Sequence, residues 1–470
     1  MDTRVIRRLA YDGNYQRAIE MLLDIVEKQD KTIFKKLIKL FVPIFLELLL
    51  INLLSSVDTL MLSNYNKLCV NAVGTAQSTI SLLTSLIVIC SNGVAILVGQ
   101  FLGAKKDKEA KDVLAQGVIF NLFLGILLFL IFFFLSDYLL KLVNTSDTFF
   151  GYAKTYIRIY AIALPFQAIT QVVGADFRAH GKPIYLTIIS IISNFINVGL
   201  NYLLIYGIWI FPELGIKGAA ISTVVSLIFK TISIVILEII IIKDKVFTFK
   251  VDKNILGSIL KIGGPSALEN ISYTLFSFVL LAALNLLTDV EIGSRVFINM
   301  VLGYTLIFSS SLGNSNSILV AYYVGAHEYE KAKKLTLRVC LVGLGIMVSL
   351  ISLLNIFGRP LFTLITNDKT YVDIIVEILP LLFILEIGRC TNIVVISAQK
   401  SAGDVIFPLV LGLLSMSIIM AGGSWLFSKT FKLGLVGIIL AQSLDEFVRG
   451  IVSFIRWLSN GWMKHSLIKE

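Results

Sequence analysis

Two stretches of this sequence decide the fold: GAKKDKEAK at residues 103–111 and GAHEYEKAK at residues 325–333. They lie 222 positions apart (325 − 103) and share their first two and last two residues. The same shift relates further pairs: Lys39 and Lys261, Pro43 and Pro265, Glu47 and Glu269, Arg178 and Lys400, Gly181 and Gly403. LGIKG at 214–218 also corresponds to LGLVG at 433–437, at a shift of 219 (433 − 214). Matches in the same order predict a duplicated unit, which in membrane proteins is typical of transporters with a site between the halves.

The composition indicates an integral membrane protein. Apolar residues make up 56% of the chain and charged residues 15%, unlike the balance of a soluble domain. Hydrophobic stretches long enough to cross about 30 Å of hydrocarbon occur twelve times: 40–62, 72–99, 114–136, 152–176, 184–207, 217–241, 257–284, 295–322, 336–357, 371–397, 405–427 and 433–457. We therefore expect an all-α membrane protein of twelve transmembrane helices, in two pseudo-symmetric lobes of six around a central cavity.

The net charge of +10 comes mainly from basic residues in the N-terminal segment and in the loops between spans. Basic residues gather at the N-terminus and at alternate connections: Arg4, Arg7, Arg8, Arg17, Lys28, Lys31, Lys35 and Lys36, then Lys105, Lys106, Lys108 and Lys111, then Lys243, Lys245, Lys250 and Lys253, then Lys331, Lys333 and Lys334. The loops between them carry few. This distribution is typical of cytoplasmic loops, so it predicts a plasma-membrane protein with both termini in the cytoplasm. It also argues against a nucleic-acid partner.

The chain divides into five parts. We expect a cytoplasmic amphipathic extension at 1–32, an N-lobe at 33–241, a polar linker at 242–256, a C-lobe at 257–460 and a cytoplasmic tail at 461–470. The extension places apolar residues on one helical face, as in helices that lie on the inner leaflet.

Carboxylates inside predicted spans need a reason, because each costs about 2.5–3.5 kcal/mol at mid-bilayer on insertion scales. The first span holds Glu47 and Asp58, eleven residues apart (58 − 47), on one helical face and about 16 Å apart along the axis. The seventh span repeats the first of them as Glu269. Asp58 lies near the predicted outer end, so an ordinary helix-end group is the alternative reading.

Two further spans carry polar stripes. The fifth has Asn194, Asn197 and Asn201 on one face, which fits either a site or interhelical hydrogen bonds. The tenth has a stripe of residues each three apart, which either neutralise one another or exchange partners in a cavity: Glu386, Arg389 and Asn392. Charged residues of the sixth and twelfth spans are read as local pairs and snorkelling side chains: Lys230, Glu238, Asp445, Glu446 and Arg449.

These motifs resemble the multidrug and toxic compound extrusion (MATE) family over residues 33–460. The resemblance rests on Pro43 with VDTLM at 57–61, on the two Gly-Ala loops, and on RAHG at 178–181, NVGLN at 197–201 and LGIKGAA at 214–220. It implies export of organic, often cationic, compounds in exchange for Na⁺ or H⁺. It also implies a twelve-helix fold with parallel repeats.

The resemblance implies site residues as well. Asp58, Asn197 and Asn201 match the family's N-lobe cation site, and Glu269 matches its acidic residue of the seventh span. Some branches have Asp where this chain has Asn201, and others have Asp near the position of Arg389. Our hypothesis is therefore that Na⁺ or H⁺ binds at Asp58, Asn197 and Asn201, or at Glu269 and Glu386 tuned by Arg389.

The expected function is antiport by alternating access, with a coupling ion and no other cofactor, by a monomer in the lipid bilayer. The alternative in the same superfamily is a flippase for lipid-linked oligosaccharides, which would favour a cavity rich in Arg and Lys. The intramembrane charges identified here are mostly acidic, which favours cationic substrates. HExxH, GxSxG and phosphate-binding glycine motifs are absent from the sequence, so an enzyme is not expected, and a receptor-like descendant is a further alternative.

Overall fold

The computed structural model describes residues 15–243, 246, 252–366 and 368–467, with side chains described from residue 33 onward except at residue 82. Within these ranges the chain is helical and contains no strand. The α-helices in order are α1 (Tyr15–Tyr65), α2 (Lys67–Gly103), α3 (Asp107–Leu142), α4 (Asp147–Ala161), α5 (Leu164–Ala179), α6 (Pro183–Tyr206), α7 (Ile216–Leu237), α8 (Lys253–Leu284), α9 (Asp289–Gly325), α10 (Tyr329–Ile365), α11 (Lys369–Ile378), α12 (Leu382–Ser401), α13 (Ile406–Ser415), α14 (Gly423–Trp425) and α15 (Gly434–Leu458).

The twelve predicted spans all fall on helices. In the described part of the chain, nine helices are long and apolar enough to cross a membrane, and the bent pair α4–α5 makes a tenth. The segments that do not pass this test are α11–α12 and α15, which carry buried charged side chains. These two segments therefore depend on partners inside the protein to bury their charges.

Two spans are interrupted by proline. The pair α4–α5 bends by 51° at a break followed by Pro165 in the first turn of α5. Between α11 and α12 the 3₁₀ turn Leu379–Leu381 contains Pro380. Proline lacks the N–H that continues an α-helix and disfavours helical backbone in the residue before it, which accounts for both breaks.

Three pairs of left-handed backbone positions mark the duplication. Lys105 and His327 have φ of 60° and 58°, at the ends of α2 and α9. Equivalent loops contain the other positive-φ pairs: Gly181 (71°) and Gly403 (95°), Gly215 (53°) and Gly434 (52°). The first two pairs follow a helix and the third lies at the start of one, so the two halves end or begin these helices at corresponding places.

The halves exchange their first helices at one end of the molecule. Leu37 and Leu40 of α1 are buried in a core cluster formed mainly by α9, α10 and α12 of the second half. Ile259 and Ile262 of α8, which are the same positions shifted by 222, are buried in a cluster formed mainly by helices of the first half. Each half therefore supplies part of the other half's core.

The same end, called here the closed end, is sealed by close backbone contact between α2 and α9. A Cβ on Gly103 would collide with the carbonyl oxygen of Tyr322, and one on Gly325 would collide with that of Gln100. The Gln100 side chain donates to the carbonyl oxygen of Ser401 at 2.7 Å. Glycine is required here because the two helix backbones touch.

The predicted extension, linker and tail are only partly described. Residues 15–32 continue directly into the first span as one 51-residue helix, whereas residues 1–14 and residues 244, 245 and 247–251 of the linker lie outside the described residues. The tail forms the 3₁₀ turn Gly461–His465. In this turn Trp462 stacks on Trp457 with ring centroids 4.1 Å apart, so the tail packs against the second half.

Candidate functional site

A cavity of about 650 Å³ lies between the two halves, next to the closed end. Its walls come from α1, α2, α5, α6 and α7 of the first half and from α8, α9, α12, α15 and Met416, directly after α13, of the second. Seven of the described residues that line it are charged: Glu47, Arg178, Lys230, Glu269, Lys400, Glu446 and Arg449. Such a position matches the site expected between duplicated halves.

In the first half, one carboxylate faces two cations. Glu47 accepts a hydrogen bond from the Ser190 hydroxyl at 3.1 Å. Arg178 lies 3.9 Å from Glu47 Oε2, and Lys230 Nζ lies 3.9 Å from Oε1. Both cations are therefore within ion-pair distance of the Glu47 carboxylate but too far from it to donate a hydrogen bond.

In the second half, the duplication produces an equivalent pair. Lys400 Nζ lies 2.7 Å from Glu269 Oε2, and these residues correspond to Arg178 and Glu47 at the shift of 222. In each half the carboxylate lies on the first helix, α1 or α8. The cation lies near the end of the helix that follows the proline break, α5 or α12. The repeat therefore carries its own interhelical ion pair.

A buried ionic network joins α12 to α15. Arg389 Nη1 donates to Glu386 Oε1 at 2.6 Å, and the Asn392 amide donates to Glu446 Oε2 at 2.7 Å. Arg449 Nη2 lies 3.2 Å from Glu446 Oε2 and donates to Asp445 Oδ2 at 2.7 Å. Each charge has an opposite partner, which is one condition for burying charge at low dielectric, while Glu386 Oε2 and Asn392 Oδ1 are buried without a hydrogen-bond partner.

This network predicts a large loss of stability when one cation is removed. Arg449→Met leaves Asp445 without its charged partner, so we expect a cost of about 3–5 kcal/mol and a clear fall in the melting temperature of the purified protein. The matched control is Arg359→Met, since Arg359 pairs with Asp373 at 2.8 Å and both side chains are 61% exposed. An exposed pair contributes little. Equal melting temperatures for both variants would contradict the stabilising role of the network.

A second polar cluster lies inside the first half. Asn201 Nδ2 donates to Asp58 Oδ1 at 2.7 Å. With its amide oriented to accept from the Thr223 backbone N–H, Asn197 donates to the same Asp58 oxygen at 3.1 Å. The Oδ1 atom of Asn201 is buried without a hydrogen-bond partner. The cluster therefore contains one carboxylate, amide groups that present either nitrogen or oxygen, and one unused acceptor.

The two clusters of the first half lie along a single helix pair. Glu47 and Asp58 of α1 contact Ser190 and Asn201 of α6 respectively, and both pairs are separated by 143 positions (190 − 47 and 201 − 58). The helices thus run parallel and in register. Glu47 and Asp58 are eleven residues apart on α1, and their partners Ser190 and Asn201 are eleven residues apart on α6. Both carboxylates of α1 therefore face α6.

Other predicted site residues are placed differently. Asn194 is half-buried, and its amide nitrogen has no hydrogen-bond partner. Within the described residues no hydrogen bond or ion pair joins Glu269 to Glu386. Glu386 is fully buried against Arg389, and neither of these two residues lines the cavity. Asn392 does line it.

The charge of the cavity differs from that of the buried residues as a whole. Its described lining contains four cations and three carboxylates, whereas the buried charged residues of the described chain as a whole are mostly acidic, as the sequence analysis predicts. Lys230 and Arg449, interpreted as a snorkelling side chain and a local partner, both line the cavity. A signal for this existed in the sequence, because the two residues correspond at the shift of 219 (449 − 230).

Two duplicated helical bundles around a charged central cavity define a membrane transporter. The chain belongs to the MATE family of transporters, because the MatE family matches residues 43–203 and 265–426. The uncharacterized transporter YisQ of Bacillus subtilis is 28% identical over 441 residues, covering 93% of this chain and 96% of that protein.

Other known proteins agree with this assignment. A probable multidrug resistance protein NorM of Thermotoga maritima is 26% identical over 452 residues, covering 92% of this chain and 94% of that protein. A solved structure described as the outward-facing conformation of a multidrug resistance MATE family transporter of the MOP superfamily has a TM-score of 0.83. It is 17% identical and covers 92% of this chain and 96% of that chain. The predicted family and the predicted fold class are thus confirmed.

Proposed function

We propose that this protein is a secondary active antiporter that exports organic compounds in exchange for H⁺ or Na⁺. The observation that carries the proposal is the cluster of Asp58, Asn197 and Asn201, a single carboxylate held by two amides inside one half. Since an amide can present oxygen or nitrogen, the same three residues can hold a bare carboxylate or surround a cation. In the described residues no group of three or more His, Cys, Asp or Glu could hold a metal ion, so a bound Na⁺ would rely on amide oxygens.

Alternating access follows from the arrangement of the halves. The described contacts between them include Leu37 and Leu40 of α1, Ile259 of α8 and the glycine contact at Gly103, all at the closed end. We propose that this is the state open toward the opposite end, and that the other state separates the closed end. Ion and substrate need only favour different arrangements for exchange to occur.

The second candidate function is a flippase for lipid-linked oligosaccharides. The cations Arg178 and Lys230 in the cavity favour it, since a pyrophosphate group requires such partners. The carboxylates Glu47 and Glu269 in the same cavity oppose it.

The test is uptake of fluorescent organic compounds, cationic and anionic, into proteoliposomes under an imposed proton or sodium gradient. Gradient-driven uptake identifies antiport and names the coupling ion. Glu269→Gln removes the charged partner of Lys400, so we expect about a tenfold loss of rate with the protein still folded. An uptake rate that neither the proton gradient nor the sodium gradient changes would contradict the antiport proposal.

A further inference from the structure

The cavity contains cationic donors that the protein itself does not use. The side chains of Arg178 and Lys230 make no hydrogen bond to any described residue, and their one ionic partner among those residues is Glu47, at 3.9 Å from each. Their side chains are 28% and 18% exposed, and both line the cavity. A guanidinium and an ammonium at the edge of a partly buried space have eight N–H donors between them.

The cavity carboxylates, by contrast, each already have a partner closer than 3.9 Å. Glu47 accepts from Ser190, Glu269 pairs with Lys400 at 2.7 Å, and Glu446 accepts from Asn392. An incoming cation would have to compete with these partners. An incoming anion would find donors available at Arg178 and Lys230.

We propose that the cavity binds organic anions or zwitterions, with a carboxylate or phosphate group held between Arg178 and Lys230. This inference rests on the proposed export function and specifies its substrate class. The anionic group would bridge α5 and α7, the helices that carry these two residues. It would also balance the second positive charge, because two cations face the single carboxylate of Glu47. Arginine is well suited to this role because its planar fork matches the two oxygens of such a group.

The rest of the substrate would be apolar. Next to the ionic groups the cavity wall is formed by Ile44, Leu48 and Ile51 of α1 and by Ile96 of α2. Aliphatic walls around a few charged groups are typical of sites for small amphiphilic molecules. The substrate is therefore an apolar body that carries one anionic group.

The test is binding to the purified protein without any gradient, so that it does not depend on transport. The probes are dansylglycine, an anion, and dansylcadaverine, a cation with the same fluorophore. We expect wild-type protein to prefer dansylglycine. Arg178→Gln and Lys230→Gln should each weaken its binding about tenfold, because each removes a charge-assisted hydrogen bond. The control Lys154→Gln, which alters a cation paired with Asp137 outside the cavity lining, should bind as wild type does.

Preference for dansylcadaverine would overturn the proposal, even if antiport itself is confirmed. Absence of dansylglycine binding would overturn it too, as would binding that Arg178→Gln and Lys230→Gln leave unchanged. The comparison of the two probes on wild-type protein decides the case even if a variant fails to fold. Competition with a polyprenyl phosphate then identifies the source of the anionic group. Displacement of dansylglycine indicates a lipid-carried phosphate, and no displacement indicates a soluble organic anion.

Discussion

Replacing Asp58 with asparagine is expected to reduce ion-driven transport about 10- to 100-fold. The substitution keeps the size of the side chain and its contact with Asn201, but it removes the charge that a proton or a sodium ion would compensate. Loss of an interaction with a charged group is worth about 1.5–3 kcal/mol, and every 1.4 kcal/mol is a factor of ten. The measurement is the initial rate of gradient-driven uptake in proteoliposomes at matched protein content.

The control for this experiment is Asp137→Asn. Asp137 is also an aspartate on a spanning helix, but it pairs with Lys154 at 2.7 Å and its side chain is 46% exposed. It should leave the coupled rate close to that of wild type. If Asp58→Asn still exchanges substrate for ions at the wild-type rate, coupling does not occur at Asp58.

The double variant Gly103→Val and Gly325→Val is expected to abolish transport by preventing the closed end from sealing. Each valine would place side-chain atoms against a carbonyl oxygen of the opposite half, and overpacking of this kind costs about 1–3 kcal/mol per site. Two such costs shift a two-state equilibrium by about 30-fold or more. The closed end would then stay open.

Thiol labelling measures this shift directly. The four native cysteines are buried and unpaired, and Asn314, which lines the cavity, can be replaced by cysteine as a reporter. An impermeant reagent added at the closed end should label the Asn314→Cys reporter in the double variant and not in the parent. Gly74→Val with Gly303→Val is the matched control, because these glycines lie on the same two helices with no atom near their Cβ positions. Equal labelling of both double variants would show that the glycine contact does not control access.

Much of the fold can be predicted from the sequence because the evidence is carried by spacing along the chain. Hydrophobic stretches predict where helices cross, and the matching of Gly103 with Gly325 predicts the duplication. The helix breaks in the fourth and tenth spans can also be predicted, because Pro165 and Pro380 lie inside otherwise continuous hydrophobic stretches.

The site is less predictable because it depends on how helices rotate against one another. The spacing of Asn197 and Asn201 places them on one face, but only the parallel packing of α1 on α6 brings that face to Asp58. Arg178 and Lys400 lie beside loops, where a basic residue is readily taken as a sign of topology. The duplication nevertheless predicts their pairing, because Arg178 follows Glu47 at the same distance along the chain as Lys400 follows Glu269.

The exchange of α1 and α8 between the two cores has an evolutionary consequence. Leu37 and Leu40 fill the second core as Ile259 and Ile262 fill the first, so neither bundle completes its interior alone. A single ancestral copy of the repeat would have left this surface uncovered, and two identical copies could have covered it reciprocally around a two-fold axis. The present chain has the form of such a homodimer fused into one polypeptide. The two halves now differ in their polar groups: Leu280 stands in the second half where the shift of 222 places Asp58, and the ionic network of α12 and α15 belongs to the second half.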